Sequence, residues 1–78
     1  MDKKAIIYST TICPHCHMAK AFFKENNVEY MEYNVAEDEN KLNEMVEKSG
    51  QMGVPVIDID GKIIVGFDRD AVKEALGL

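Results

Sequence analysis

The only two cysteines of this chain lie three positions apart, in Cys13-Pro14-His15-Cys16, between a strand-like run and the start of a helical pattern. No other feature limits the possible folds so strongly. Ala5-Ile6-Ile7-Tyr8 reads as a buried strand of β-formers, and it runs straight into Ser9-Thr10-Thr11, whose hydroxyl residues mark a loop. Two cysteines at such a strand-to-helix junction are what a dithiol redox centre needs. Residues i and i+3 share one side of a helix's first turn, so the two sulfurs can meet. A disulfide closed over so short a loop constrains the unfolded chain less than a long-range one, so its expected use is to open and close.

The remaining elements follow from periodicity and punctuation. The strand is expected to begin at Lys4. Pro14 sits in the first turn of the helix that follows, where its missing N–H costs nothing. Met18, Ala19, Phe22 and Phe23 form the apolar stripe of that helix and are read as core, with Lys20, Lys24 and Glu25 facing out and Asn26-Asn27 as the stop. Val28 to Val35 alternates as a second strand. The acidic run Ala36-Glu37-Asp38-Glu39 suits the positive end of a second helix, whose buried positions are Leu42, Met45 and Val46 and whose stop is Ser49-Gly50. After the loop Gln51-Met52-Gly53-Val54-Pro55 come two short strands, Val56–Ile59 and Ile63–Val65, with Asp60-Gly61 as a type I′ hairpin turn between them. Asp68 is placed to cap a last helix with Ala71, Val72, Ala75 and Leu76 on its apolar side.

The order β-α-β-α-β-β-α implies an α/β fold. Strands one and two, joined through a helix, should pair in parallel, and the last two antiparallel. A four-stranded mixed sheet with three helices over both faces is the economical solution. Residues 1–78 are read as one domain, too small to support more than a single efficient core. A net charge of −5 argues against a nucleic-acid footprint and favours solubility. Met1-Asp2-Lys3-Lys4 precedes only about four apolar residues, too few for a signal-peptide core or a membrane span. A cytoplasmic location is therefore expected, where a lone C-x-x-C is catalytic or metal-binding more often than structural.

Cys13, nearer the helix start, faces unpaired backbone N–H groups and the positive dipole end, which stabilise a thiolate; Pro14 and His15 are read as tuning it. A fall in thiol pKa from about 8.5 to about 5.5 would raise the thiolate fraction at pH 7 roughly thirtyfold. Intrinsic nucleophilicity would fall roughly twentyfold, so the larger effects are on leaving-group quality and on the stability of the reduced dithiol. In this reading Cys13 attacks a substrate disulfide and Cys16 resolves the mixed disulfide.

Three separated motifs, Ser9-Thr10-Thr11-Ile12-Cys13-Pro14-His15-Cys16, Gly53-Val54-Pro55 and Val65-Gly66-Phe67-Asp68, resemble those of glutaredoxins in the thioredoxin superfamily, in particular the short bacterial and archaeal type. The resemblance spans nearly the whole chain. It implies a thioredoxin-like fold, a cis bond before Pro55, and thiol–disulfide oxidoreductase activity. It also implies substrate or glutathione binding by the backbone of Val54, by Pro55 beside it and by the corner at Gly66, Phe67 and Asp68. Glutathione-using members commonly carry Tyr where His15 stands and a basic residue just before the first cysteine, whereas Thr10, Thr11 and Ile12 offer no cation. The expected activity is therefore that of a monomeric dithiol carrier with no bound cofactor. It would be reduced by a flavoprotein reductase as readily as by glutathione and would pass electrons to protein disulfides. A glutathione-dependent deglutathionylase and a ribonucleotide-reductase electron donor are the alternatives within the class. A zinc or iron–sulfur module using Cys13, His15, Cys16 and His17 is the alternative outside it, but the two histidines project away from the side where the sulfurs meet, and no metal is expected.

Overall fold

The computed structural model describes residues 4–78. Met1, Asp2 and Lys3, part of the segment read as no export signal, lie outside the described residues. The chain forms β1 (Ala5–Ser9), α1 (Pro14–Glu25), β2 (Tyr30–Asn34), α2 (Glu39–Ser49), β3 (Val56–Ile59), β4 (Lys62–Val65) and α3 (Arg69–Leu76). The sheet order is β2-β1-β3-β4, with β1 and β2 parallel and the other two pairings antiparallel. This is the mixed four-stranded arrangement that the order of elements implies.

Alternation along the strands divides the core into two layers. Ala5, Ile7, Ile57, Ile59 and Ile64 pack with Ala19, Phe22 and Phe23 of α1 and with Val72 and Ala75 of α3. On the opposite face Tyr8, Val56 and Val35 pack with Met45, flanked by Leu42 and Val46 of α2. All four residues of β3 are buried because it has a strand on each side and a helix layer over each face.

The ends of the elements follow local chemistry. Asp38 caps α2 by accepting the Lys41 N–H at 3.2 Å, and Gly50 closes the helix at φ 74°. The β3–β4 turn has Asp60 at φ 53° and Gly61 at φ 95°, both in the left-handed region that a type I′ turn requires. Asp58 also accepts the Gly61 N–H at 2.9 Å, which fixes that turn from the strand below it.

β1 begins at Ala5 rather than Lys4, β2 ends at Asn34 rather than Val35, and β4 begins at Lys62 rather than Ile63. Other readings change for physical reasons. β2 begins at Tyr30, not Val28, because the chain leaves α1 through Asn27 at φ 56° and the Val28 N–H bonds to Phe23 O at 2.8 Å. That helix closure takes Val28 out of the ladder. Met18 is 53% exposed, not core. At about 100° per residue it falls on the flank of α1, off the Ala19–Phe23 side. Lys20 does not simply face out: its Nζ lies 2.9 Å from Glu32 Oε2.

Candidate active site

Cys13 is the N-cap of α1, with an extended backbone (φ −152°, ψ 96°), and Pro14 opens the helix behind it. The cap geometry has two consequences. The Cys13 carbonyl accepts the Cys16 N–H at 3.1 Å and the His17 N–H at 3.2 Å, and Cys13 Sγ accepts the Cys16 N–H at 3.2 Å. A sulfur thus occupies the position normally held by a capping oxygen, facing the donors at the helix start. The first turn of α1 contains no acidic residue to oppose negative charge there. Cys13 and Cys16 are joined in a disulfide with Cα atoms 5.2 Å apart. Both sulfur-bearing residues are buried, Cys16 at 1% exposure and Cys13 at 5%, so Cys13 is the more accessible partner. His15 is exposed, and the donor to Cys13 Sγ is a backbone amide rather than its imidazole.

The sheet register brings the other sequence-marked residues to the same end. Tyr8 pairs with Val56, so Pro55 and Val54 lie beside the loop that leaves β1 toward Cys13. The Val54–Pro55 bond is cis, as the resemblance implied. Val56 in turn pairs with Val65, which places Gly66 alongside; its N–H bonds to Pro55 O at 2.8 Å, and its φ of 79° makes the corner. Phe67 turns its ring inward, 5.8 Å from the ring of Phe22, which leaves its backbone at the corner. Asp68 caps α3 by accepting the Ala71 N–H at 3.2 Å. The redox motif, the cis-proline loop and the Gly66 corner are therefore neighbours, whereas Phe67 and Asp68 each have a structural task.

Two polar networks near this end escaped the sequence reading. The hydroxyl of Ser9, buried at the end of β1, donates to Glu32 Oε2 at 2.7 Å, and Lys20 binds the same oxygen. Lys20's hydrogen bond holds the Glu32 pKa below the ordinary carboxylate value, helped by Ser9 and opposed by partial burial. On the other face Tyr8 donates to Glu44 and accepts from Lys48 Nζ at 2.8 Å, and Lys48 also reaches Asp58 Oδ2 at 2.8 Å. Burial works against the Lys48 charge, but Asp58 and Tyr8 outweigh it and raise the Lys48 pKa. Burial, with Glu44, pushes the Tyr8 phenol up, so it stays protonated. A lone Asp in the apolar run Val56-Ile57-Asp58-Ile59 was the one signal available. A groove of about 690 Å³ between Lys4–Ile6 and Val28–Met31 lies at the opposite end of the sheet from the cysteines and takes no part in this site.

Comparison with known proteins agrees with this geometry. The glutaredoxin family model matches residues 5–64. The chain is 44% identical over 70 residues to an uncharacterized glutaredoxin-like 8.6 kDa protein of the rubredoxin operon of Clostridium pasteurianum, covering 90% of this chain and 93% of that one. It is 39% identical over 71 residues to glutaredoxin 3 of Escherichia coli K12, covering 91% of this chain and 86% of that protein. Its fold matches the crystal structure of a glutaredoxin from Archaeoglobus fulgidus with a TM-score of 0.85 over 94% of this chain and 85% of the other, at 22% identity. A sulfur-capped helix, a cis-prolyl loop beside it and these sequence matches converge on one conclusion: the chain belongs to the glutaredoxin family of thiol–disulfide oxidoreductases.

Proposed function

We propose that this protein is a dithiol carrier that reduces protein disulfides through Cys13 and Cys16. The observation that carries the reading is the hydrogen bond from the Cys16 N–H to Cys13 Sγ at the start of α1. In the reduced protein the same donor faces a thiolate, and charge-assisted bonds of this kind favour the ionised form. The Cys13 thiolate attacks one sulfur of the substrate disulfide; a mixed disulfide forms and the first substrate thiolate leaves, taking a proton from solvent. Cys16 then loses its proton to solvent and attacks Cys13 Sγ, which breaks the mixed disulfide and releases the second thiolate. Two electrons have passed to the substrate, and the enzyme is left as the Cys13–Cys16 disulfide. A thiol reductant or a flavoprotein reductase reverses that step. Val54, beside the cis-proline, supports the binding of an extended substrate: among the described residues its backbone makes no hydrogen bond, so it is open to pairing.

The choice of electron donor follows from charge. The loops Ser9–Cys13, Ser49–Pro55 and Val65–Asp68 contain no Lys or Arg; Arg69, one residue beyond the last, lies over the Phe22 ring, so the loops themselves offer the carboxylates of glutathione no cation. Reduction by a flavoprotein reductase at least as readily as by glutathione is the reading, with the cytoplasm as the site of action. The test couples disulfide reduction to NADPH through either glutathione with glutathione reductase or a thioredoxin-reductase-type enzyme. The second couple should support turnover at least as fast as the first. Cys13→Ser should abolish reduction, and Cys16→Ser should accumulate a mixed disulfide visible by mass spectrometry. Full activity in the Cys13 variant would refute the mechanism. Faster turnover with glutathione would favour the deglutathionylase alternative.

A further inference from the structure

We infer that the rim around Cys13 selects disulfides whose cysteine is flanked by apolar residues, in an extended segment of a partner protein, over those flanked by acidic residues. This deepens the proposed function and rests on it. Ile12, next to Cys13 in the chain, is 91% exposed; Met52, in the loop before Pro55, is 68% exposed; Val65, at the end of β4, is 53% exposed. The register of β1, β3 and β4 brings all three to the end of the sheet where the disulfide lies. Six large hydrophobics are exposed among the described residues, and three of them, two on loops and one at the end of a strand, sit at the end of the sheet that holds the buried disulfide.

The reaction itself identifies the occupant. Cys13 is only 5% exposed, so a substrate sulfur that bonds to it must bring its own neighbours down onto the rim. The residues beside the substrate cysteine then cover Ile12 on one side and Met52 on the other, with Val54 pairing along the backbone. Apolar neighbours gain by removing that surface from water. Acidic neighbours would be desolvated with no Lys or Arg in the three loops to receive them, Arg69 lying one residue beyond with its guanidinium 5.6 Å over the Phe22 ring, and the chain's net charge of −5 repels them from a distance.

The test uses the intact reduced protein and a set of peptide disulfides that differ only in the residues beside the cysteine: Leu and Val, Ser and Gly, or Asp and Glu. The reading predicts that kcat/KM for the apolar peptide exceeds that for the acidic one by about tenfold or more, about 1.4 kcal/mol. Ile12→Ser and, independently, Met52→Ser should each shrink this ratio several-fold. Met31→Ser, a methionine 57% exposed near the start of β2, away from the disulfide, should not move it. Equal rates across the peptides, or a ratio unmoved in both rim variants, overturns the inference while leaving the reductase assignment in place. Failure to reduce even a small neutral disulfide removes both. Sedimentation of the wild type is run alongside: a dimer that dissociates in Ile12→Ser would make a second copy the occupant and would also overturn it.

Discussion

Asp58 is the most exacting test of how this sheet is held together. Its carboxylate is buried in β3, with Oδ2 on Lys48 Nζ at 2.8 Å and Oδ1 on the Gly61 N–H at 2.9 Å. One side chain therefore ties α2 to the sheet and fixes the β3–β4 turn. A hydrogen bond to a charged partner contributes about 1.5–3 kcal/mol when well shielded. The Lys48 side chain is 31% exposed, however, so solvent screening brings that bond down to about 1 kcal/mol. Leaving the Gly61 amide without its acceptor costs about another 1 kcal/mol. Asp58→Asn keeps an oxygen for Gly61 but turns its amide NH2 toward Lys48 and so loses that bond with the charge, for about 1 kcal/mol as the partly exposed Lys48 swings into solvent; Asp58→Ala loses both bonds, for about 2–3 kcal/mol with its small cavity. At about 4–8 °C per kcal/mol in a domain of this size, the melting temperature should fall by about 4–8 °C and roughly 10–20 °C respectively. Total stability of about 4–12 kcal/mol leaves both variants folded. Urea titration of the oxidised protein, with the m-value checked for constancy, measures the two losses. If Asn and Ala cost the same within about 0.5 kcal/mol, the turn bond contributes nothing and the reasoning fails. A loss below about 0.5 kcal/mol in both would mean that desolvation cancels the ion pair.

Two other perturbations separate structural from electrostatic effects. Glu32 has a folded-state pKa below its ordinary value, chiefly through Lys20, so its contribution is present above the unfolded pKa of about 4.3 and is lost as pH falls through the folded one. Glu32→Gln should therefore lower the melting temperature above about pH 5 and converge with wild type in more acid solution; a constant gap down to about pH 3 would show that the charge is irrelevant. Asp68→Ala should lower stability by about 1 kcal/mol by uncapping α3, whereas Asp68→Asn, which can still accept the Ala71 N–H, should lose only a few tenths; equal losses in thermal unfolding would refute the cap.

The fold was largely legible because its signals are local. Asp60-Gly61 can adopt the positive φ values of a type I′ turn, Gly50 can end α2 in the left-handed region, and Asp38 and Asp68 cap the helices that follow them. Each requirement is met within four residues, so adjacent residues suffice to read it. Met18 was misread for a related reason. Four apolar residues in six positions suggest a broad stripe, but only the sheet's location decides which flank is covered, and Met18 lies on the uncovered one. The cysteine pair and the cis-proline loop were legible as motifs, yet their adjacency depends on Tyr8 pairing with Val56, a register that no local pattern states.

The polar networks mark where sequence reasoning ends. Ser9 meets Glu32 across 23 positions and Tyr8 meets Glu44 across 36, so neither pair exists until the sheet and helices are assembled. Both hydroxyls belong to the last two residues of β1, which alternate to opposite faces, and both residues are almost wholly buried. A buried hydroxyl without a partner is costly, so each position commits a carboxylate on another element: Glu32 on β2 for Ser9, Glu44 on α2 for Tyr8. The backbone ladders to β2 and β3 set the register of β1, and an apolar pair at these positions would pack the core but add no directional bond at the strand's end. Directional bonds on both faces instead fix the end of β1 against β2 and α2, four residues before Cys13. A buried sulfur that must meet both a substrate disulfide and Cys16 depends on that fixed departure point, because a displacement of an ångström at the strand end carries through the short loop to the cap.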